Sequence, residues 1–193
     1  PDLQPAYQRT RTFAREYLER YLDQGETSRG QHGSIEGIVA TSAFLAIGEA
    51  RGAGKVSART LDALREATTR VEASGHFKDW LTCDWPPYEV DHHFGTSLLL
   101  VALGVAPDDF RQEEKIAPHL GNLRKWIKEN PPRNAHQAGM CLWAHATGGL
   151  ELTATQRDAY VEWCRKDQRP DGGWSVKSIG GWLRPDGTPQ LSE

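Results

Sequence analysis

Sulfur is scarce in this chain, which has three cysteines and one methionine among its 193 residues. The cysteines are Cys83, Cys141 and Cys164, and no two of them form a CxxC pair. Three cysteines also cannot all pair within one molecule. The sequence therefore argues against a disulfide-stabilised scaffold, and we expect free buried thiols.

Long apolar runs and an excess of one charge are missing too. The longest apolar run, 98–106, is nine residues, whereas a membrane-spanning helix needs about 20. The net charge is −3, which gives no electrostatic reason to expect nucleic acid. We therefore expect a soluble globular chain with no transmembrane segment and no nucleic-acid partner. The chain begins at Pro1 without a methionine, which indicates a processed or cut product and leaves its localisation open.

Apolar residues recur with helical spacing, and the helices that they predict are of two alternating kinds. Mostly apolar helices are predicted at 34–50, 90–104 and 134–147, and amphipathic helices at 5–23, 57–75, 109–129 and 153–167. Ser57 and the pair Thr153 and Gln156 have the pattern of helix N-caps. No segment has the pattern of a strand, although the Gly/Pro-rich residues 175–193 could form a short hairpin or loop.

This alternation predicts two layers of helices. A helix that is apolar on every side is buried on every side, whereas an amphipathic helix keeps one face in water. The inner helices recur at roughly 45–55 residues, a spacing typical of repeat architectures. We therefore expect one all-α domain over 1–193, a partial α/α toroid of about three and a half helix pairs. Because a closed ring needs more chain, we expect a missing C-terminal segment or self-association to cover the open flank.

A turn motif follows the last amphipathic helix. It reads Gln-Arg-Pro-Asp-Gly-Gly-Trp at 168–174. Asp-Gly-Gly permits a tight turn with positive φ, so Trp174 can fold back while Gln168 satisfies backbone groups at the helix end. The motif resembles the QW repeat of squalene-hopene cyclases and related prenyltransferase-type toroids. Cys164 departs from it, because the QW pattern prefers a bulky apolar residue there.

A second resemblance covers roughly residues 30–190. The segments 79–95, 142–144 and 179–187 are similar to a bacterial group of uncharacterised squalene-cyclase-like proteins. Class II terpene cyclases protonate an alkene with an aspartic acid of a DxDD motif at the start of an inner helix. The matching position here reads Glu89-Val90-Asp91-His92, so the resemblance implies Asp91 as the proton donor with Glu89 and His92 supporting it. Burial would raise the pKa of such a carboxyl and strengthen it as a donor.

The same residues have simpler interpretations. Asp91 could cap its helix and interact with the helix dipole. Trp85, Tyr88, Phe94 and Trp143 could line a substrate cavity and stabilise a carbocation with their ring faces, or could pack between helices. Asp91-His92-His93 also matches the DHH signature of metal phosphoesterases, but that site needs a preceding strand, which the sequence does not predict.

Toroidal protein prenyltransferases bind zinc through Asp, Cys and His, and these residue types occur here. The candidates are Cys83, Asp84, Asp91, His92, His93, His136 and His145. Their spacing is scattered, so we expect no metal and no cofactor. His136 and His145 are nine residues apart on one predicted helix, which places them on opposite sides.

Two functions follow as hypotheses. The first is a terpenoid cyclase-like enzyme that acts on a polyprenyl or triterpenoid chain, a hydrophobic small molecule. The second is a non-catalytic toroid that binds a peptide, a glycan or a partner protein, favoured by the altered acid motif and by a mean hydropathy of −0.62. In both, the ligand is expected where the N-termini of the inner helices converge, near residues 30–33 and 89–95, and an anionic ligand would suit that end best.

Overall fold

The computed structural model describes residues 4–23, 35–78, 80, 87, 91–180, 182 and 188. Across these residues the regular structure is entirely helical, which confirms the all-α prediction. The helices are α1 (Gln4–Asp23), α2 (Ile35–Ala53), α3 (Ala58–Thr69), α4 (His92–Val105), α5 (Asp108–Arg111), α6 (Ala117–Glu129), α7 (Ala135–Thr147), α8 (Ala154–Lys166) and α9 (Val176–Ile179). The short α9 lies where we expected a hairpin or loop.

The helices form two layers. The inner layer is α2, α4 and α7, with α4 between the other two. The outer helices cover it: α1 and α3 pack on α2, α6 packs on α4, and α8 packs on α7. The apolar and amphipathic segments thus occupy the layers that their patterns predict, and the arrangement is compatible with part of an α/α toroid.

Helix α4 is the centre of the core. Its residues are buried without interruption from His93 to Leu103, because α2, α6 and α7 surround it. Most of the buried apolar side chains, from Leu18 to Leu150, form one contiguous cluster around it. None of the helices in the described ranges is both long and apolar enough to cross a membrane.

The predicted caps are present, but two helices are shorter than expected. Ser57 accepts a hydrogen bond from the Thr60 backbone N–H at 3.3 Å, and Thr153 and Gln156 form a capping box. Helix α3 ends at Thr69 and not near residue 75. The stretch predicted as one helix at 109–129 is divided into α5 and α6, because Pro118 has no N–H and therefore suits the first turn of a new helix.

The turn after α8 contains Gly172 at φ +82°, as the Asp-Gly-Gly sequence predicts. Gln168 Nε2 donates a hydrogen bond to the Gly172 carbonyl at 2.6 Å, and Trp174 Nε1 donates one to the Cys164 carbonyl at 2.8 Å. The expected role of Gln168 was therefore wrong in detail. Trp174 satisfies a carbonyl at the end of α8, and Gln168 closes the turn.

The C-terminal end of α4 touches the loop after α7 backbone to backbone. A Cβ atom on Gly104 would lie 2.5 Å from the Gly149 nitrogen and 2.5 Å from Thr147 Oγ1. A Cβ atom on Gly149 would overlap the Leu100 carbonyl. By contrast, a Cβ atom on Gly121, within α6, would have no neighbour within 4 Å. The first two glycines thus permit the close approach of α4 and this loop.

Gly104→Ala should destabilise the protein by about 1–3 kcal/mol, because the added methyl group forces the loop away from α4. Gly121→Ala is the matched control and should stabilise it by about 0.5–1 kcal/mol, because alanine is the better helix former. Urea unfolding followed by far-ultraviolet circular dichroism measures both changes. Equal free energies of unfolding for the two variants would contradict the close contact.

Candidate ligand-binding site

Asp91 lies at the start of α4, and both of its carboxylate oxygens accept hydrogen bonds. Oδ1 accepts from the His93 backbone N–H at 2.8 Å, and Oδ2 accepts from Gln137 Nε2 at 2.6 Å. Asp91 is thus the N-cap of α4, and the second bond joins α4 to α7. The helix-cap interpretation is confirmed, and the role of Asp91 as a proton donor stays a prediction.

The orientation of the Gln137 amide is determined by its other contacts. Gln137 is buried, and its Oε1 accepts a hydrogen bond from the Arg133 backbone N–H at 2.7 Å. Its own backbone N–H donates to Asn134 Oδ1, the N-cap of α7, at 2.9 Å. Because its oxygen is occupied, Gln137 presents its NH₂ group to Asp91. Both bonds to the Asp91 oxygens therefore favour the ionised carboxylate.

Burial acts on the same carboxyl in the opposite direction. It raises the pKa of Asp91, and this effect outweighs the hydrogen bonds from His93, Gln137 and Phe94 and the positive charge of Arg133, which lower that pKa. The carboxyl thus lies in an environment that disfavours its charge while its immediate partners stabilise it.

Three histidines surround the Trp126 ring of α6. The rings of His76 and His92 are stacked with their centroids 4.1 Å apart. The ring centroids of His76, His92 and His93 lie between 5.8 and 6.4 Å from that of Trp126. A fourth ring, that of His136 at the start of α7, stacks on the Phe94 ring with the two centroids 5.8 Å apart.

Burial lowers the pKa of three of these imidazoles, those of His92, His93 and His136. It lowers the pKa of His93 to about 4, with the nearby His136 adding to the effect. Burial alone lowers the pKa of His136 to about 4. The pKa of His92 is also lowered, first by burial and then by the proximity of His76. At pH 7 His93 and His136 are therefore neutral.

A cavity of 210 Å³ opens beside the Asp91 carboxylate. It lies between the N-termini of α4 and α7 and the C-terminal end of α6, and we call it the Asp91 pocket. Its lining consists of Asp91, His92, His93, Trp126, Asn130, Pro131, Arg133 and Gln137. Typical small-molecule sites span about 300–1,000 Å³, so this pocket suits one small ring or the end of a longer chain.

The structure brings together part of the predicted site. Asp91 and His92 line the pocket. Phe94 is buried against Trp80 and His136, and Trp143 packs against the core cluster, so neither lines the Asp91 pocket. The remaining predicted residues lie outside the described residues, namely Trp85, Tyr88 and Glu89, together with the zinc candidates Cys83 and Asp84.

Several pocket residues were not predicted. Trp126, Asn130 and Arg133 belong to the end of α6 and the loop after it, and Gln137 belongs to α7. They lie more than 30 residues from Asp91 in sequence, and no motif links them to it. For Gln137 the sequence contains one local indication, because Asn134-x-x-Gln137 has the spacing of a helix N-cap and its N3 residue.

In the described part of the chain, no three His, Cys, Asp or Glu side chains converge in a way that could hold a metal ion. His136 faces Phe94 and Trp182, whereas His145 Nδ1 lies 3.2 Å from the Leu150 carbonyl near the other end of α7. The two histidines therefore have separate surroundings.

The sequence matches no family model, and it has no match among curated proteins or solved structures. The resemblance to squalene-cyclase-like proteins therefore stays a prediction from the sequence motifs.

The lowered histidine pKa values make stability depend on pH. In the unfolded state His93 and His136 bind protons below their ordinary pKa of 6.5. In the folded state they bind them only near pH 4. The contribution of these two histidines to the free energy of unfolding should thus be complete above pH 6.5 and should fall as the pH drops towards 4. The raised pKa of Asp91 acts oppositely, because the folded state takes up that proton first, and it offsets part of the loss at the acid end.

His93→Asn removes one of these titrating groups, so its free energy of unfolding should fall less between pH 7 and pH 5 than that of the unmodified protein. Urea unfolding at the two pH values measures the difference. An identical fall in both proteins would show that His93 does not resist protonation in the folded state.

Proposed function

We propose that the Asp91 pocket binds one sugar unit of a glycan, with the Asp91 carboxylate accepting hydrogen bonds from sugar hydroxyls. The observation that supports this most is the pair of N–H donors on Asp91, from the His93 backbone and Gln137. They hold the carboxylate at the pocket wall. Its two oxygens together offer about four lone-pair sites, so the carboxylate can still accept a hydrogen bond from a ligand.

The other groups of the pocket suit a ligand rich in hydroxyls. A hydroxyl both donates and accepts, so it can pair with a carboxylate, a neutral imidazole or a guanidinium. The buried Nδ1 atom of His92 has no hydrogen-bond partner in the described part of the chain. Trp126 adds an apolar ring surface for the C–H face of a sugar. The charges of Asp91 and Arg133 offset each other, which favours a neutral ligand.

The Asp91→Asn variant tests this proposal. Asparagine caps helices as well as aspartate does, so α4 should keep its cap. The new amide nitrogen cannot accept the hydrogen bond from Gln137, so circular dichroism must show that the variant is folded. It is a weaker acceptor, because hydrogen bonds to charged groups are worth about 1.5–3 kcal/mol, and affinity should fall about tenfold or more. Saturation-transfer NMR with methyl hexosides and methyl N-acetylhexosaminides measures the binding.

Asp158→Asn is the matched control, because Asp158 is exposed on α8 and away from the pocket. It should bind the glycosides as the unmodified protein does. Failure of all glycosides to bind, or equal binding by Asp91→Asn and the unmodified protein, would contradict the proposal.

A terpenoid cyclase-like activity is the second candidate, and one observation favours it. Burial raises the pKa of Asp91, as a proton donor to an alkene requires. In this proposal Asp91 would be the general acid, as the resemblance to class II cyclases implies, with Glu89 and His92 in support.

The protein incubated with squalene or with prenyl diphosphates should then yield cyclised hydrocarbon or alcohol, detected by gas chromatography with mass spectrometry. Asp91→Asn should abolish the product, because the amide has no proton of comparable acidity. No product from the unmodified protein, or equal amounts from both proteins, would exclude this chemistry for Asp91.

A further inference from the structure

A second and larger cavity lies on the outer face. Asp91 does not line it, although Pro131 lines both this cavity and the Asp91 pocket. It has a volume of 620 Å³ and runs between the outer helices α6 and α8. We call it the α6–α8 groove. Its volume falls within the range of about 300–1,000 Å³ that is usual for ligand sites.

The floor of the groove is apolar. Ile127 of α6 and Leu150 of the α7–α8 loop are buried beneath it. Leu152 of the same loop and Tyr160 of α8 are half-buried along it, so part of each side chain remains open to solvent. An apolar floor with a few polar residues around it is the usual lining of a ligand site.

The α6 wall of the groove is basic. It contributes Arg124, Lys125 and Lys128, whereas the acidic residue of the lining is Glu151. Lys125 forms an ion pair with Glu129 at 2.8 Å. Lys128 is exposed and forms no ion pair with the described residues. The wall thus keeps positive charge that a ligand can neutralise.

The groove is held in shape by Arg124. Its Nε donates a hydrogen bond to the Gly149 carbonyl at 2.8 Å, and its Nη2 donates one to the Gly148 carbonyl at 3.3 Å. These bonds join α6 to the loop that carries Leu150 and Leu152. The basic wall and the apolar floor are therefore fixed relative to each other before any ligand binds.

We propose that the α6–α8 groove docks an acidic amphipathic peptide segment of a partner protein. The carboxylates of the segment pair with Lys128 and its neighbours on the wall, and its apolar side chains cover Leu152 and Tyr160. Charge complementarity selects this occupant, because a basic wall above an apolar floor matches a segment that carries acidic residues on one side and apolar residues on the other.

Fluorescence anisotropy with two labelled peptides tests the proposal. One peptide carries glutamate and leucine in an amphipathic pattern, and the other has lysine in place of every glutamate. The acidic peptide should bind, with an affinity that falls as salt is added, and the basic peptide should bind at least about tenfold more weakly.

Lys128→Glu should weaken binding of the acidic peptide about fivefold or more, and Lys55→Glu is the matched control. Lys55 is exposed in the loop after α2 and away from the groove, so the control should bind like the unmodified protein. Leu152→Asn should also weaken binding, with its fold checked by circular dichroism.

Three outcomes of the peptide experiments would overturn the proposal. These are no binding of the acidic peptide, equal binding of the two peptides, and equal effects of Lys128→Glu and Lys55→Glu. Binding of laurate at the groove without binding of the acidic peptide would identify a small anionic amphiphile as the occupant and would also overturn it. None of these outcomes depends on sugar binding in the Asp91 pocket.

Discussion

The burial of α4 on all sides is the constraint on which the rest of the structure depends. A helix with no polar face must be covered by neighbours, and α2, α6 and α7 cover it. Its contact with α7 is fixed at both ends by different means. At the N-terminal end Asp91 accepts a hydrogen bond from Gln137, and at the C-terminal end Gly104 allows the loop after α7 to approach. Together these contacts set the position of α4 along α7.

This burial also determines the chemistry at the start of α4. It leaves His93 and His136 uncharged at pH 7, since the pKa of each is near 4. It raises the pKa of Asp91 as well, but there the hydrogen bonds from His93 and Gln137 act against it. Because the neighbouring His93 is neutral, the charged groups that a ligand in the pocket contacts are chiefly Asp91 and Arg133.

The layers could be predicted from sequence because an apolar helix such as 92–105 leaves a pattern that no surface helix shares. Helix caps such as Ser57 could also be predicted from sequence, since the backbone N–H that each one binds lies within one helical turn. The pocket was harder, because Asp91 and Gln137 are 46 residues apart and meet only when α4 and α7 pack together. The break before α6 was missed because periodicity alone continues through Pro118, although proline favours the start of a helix.

The cyclase and sugar-binding proposals require opposite protonation states of Asp91. A general acid must carry a proton on its carboxyl group, whereas a carboxylate that accepts hydrogen bonds from hydroxyls must be ionised. With the proton on Oδ2, the carboxyl would face the Gln137 NH₂ group, donor against donor, while the Arg133 backbone N–H occupies the amide oxygen. Turning the Gln137 amide would lose the Arg133 bond as well. A proton on Oδ1 would instead face the His93 backbone N–H, which is also a donor. The geometry of the partners thus favours the carboxylate, although burial favours the acid.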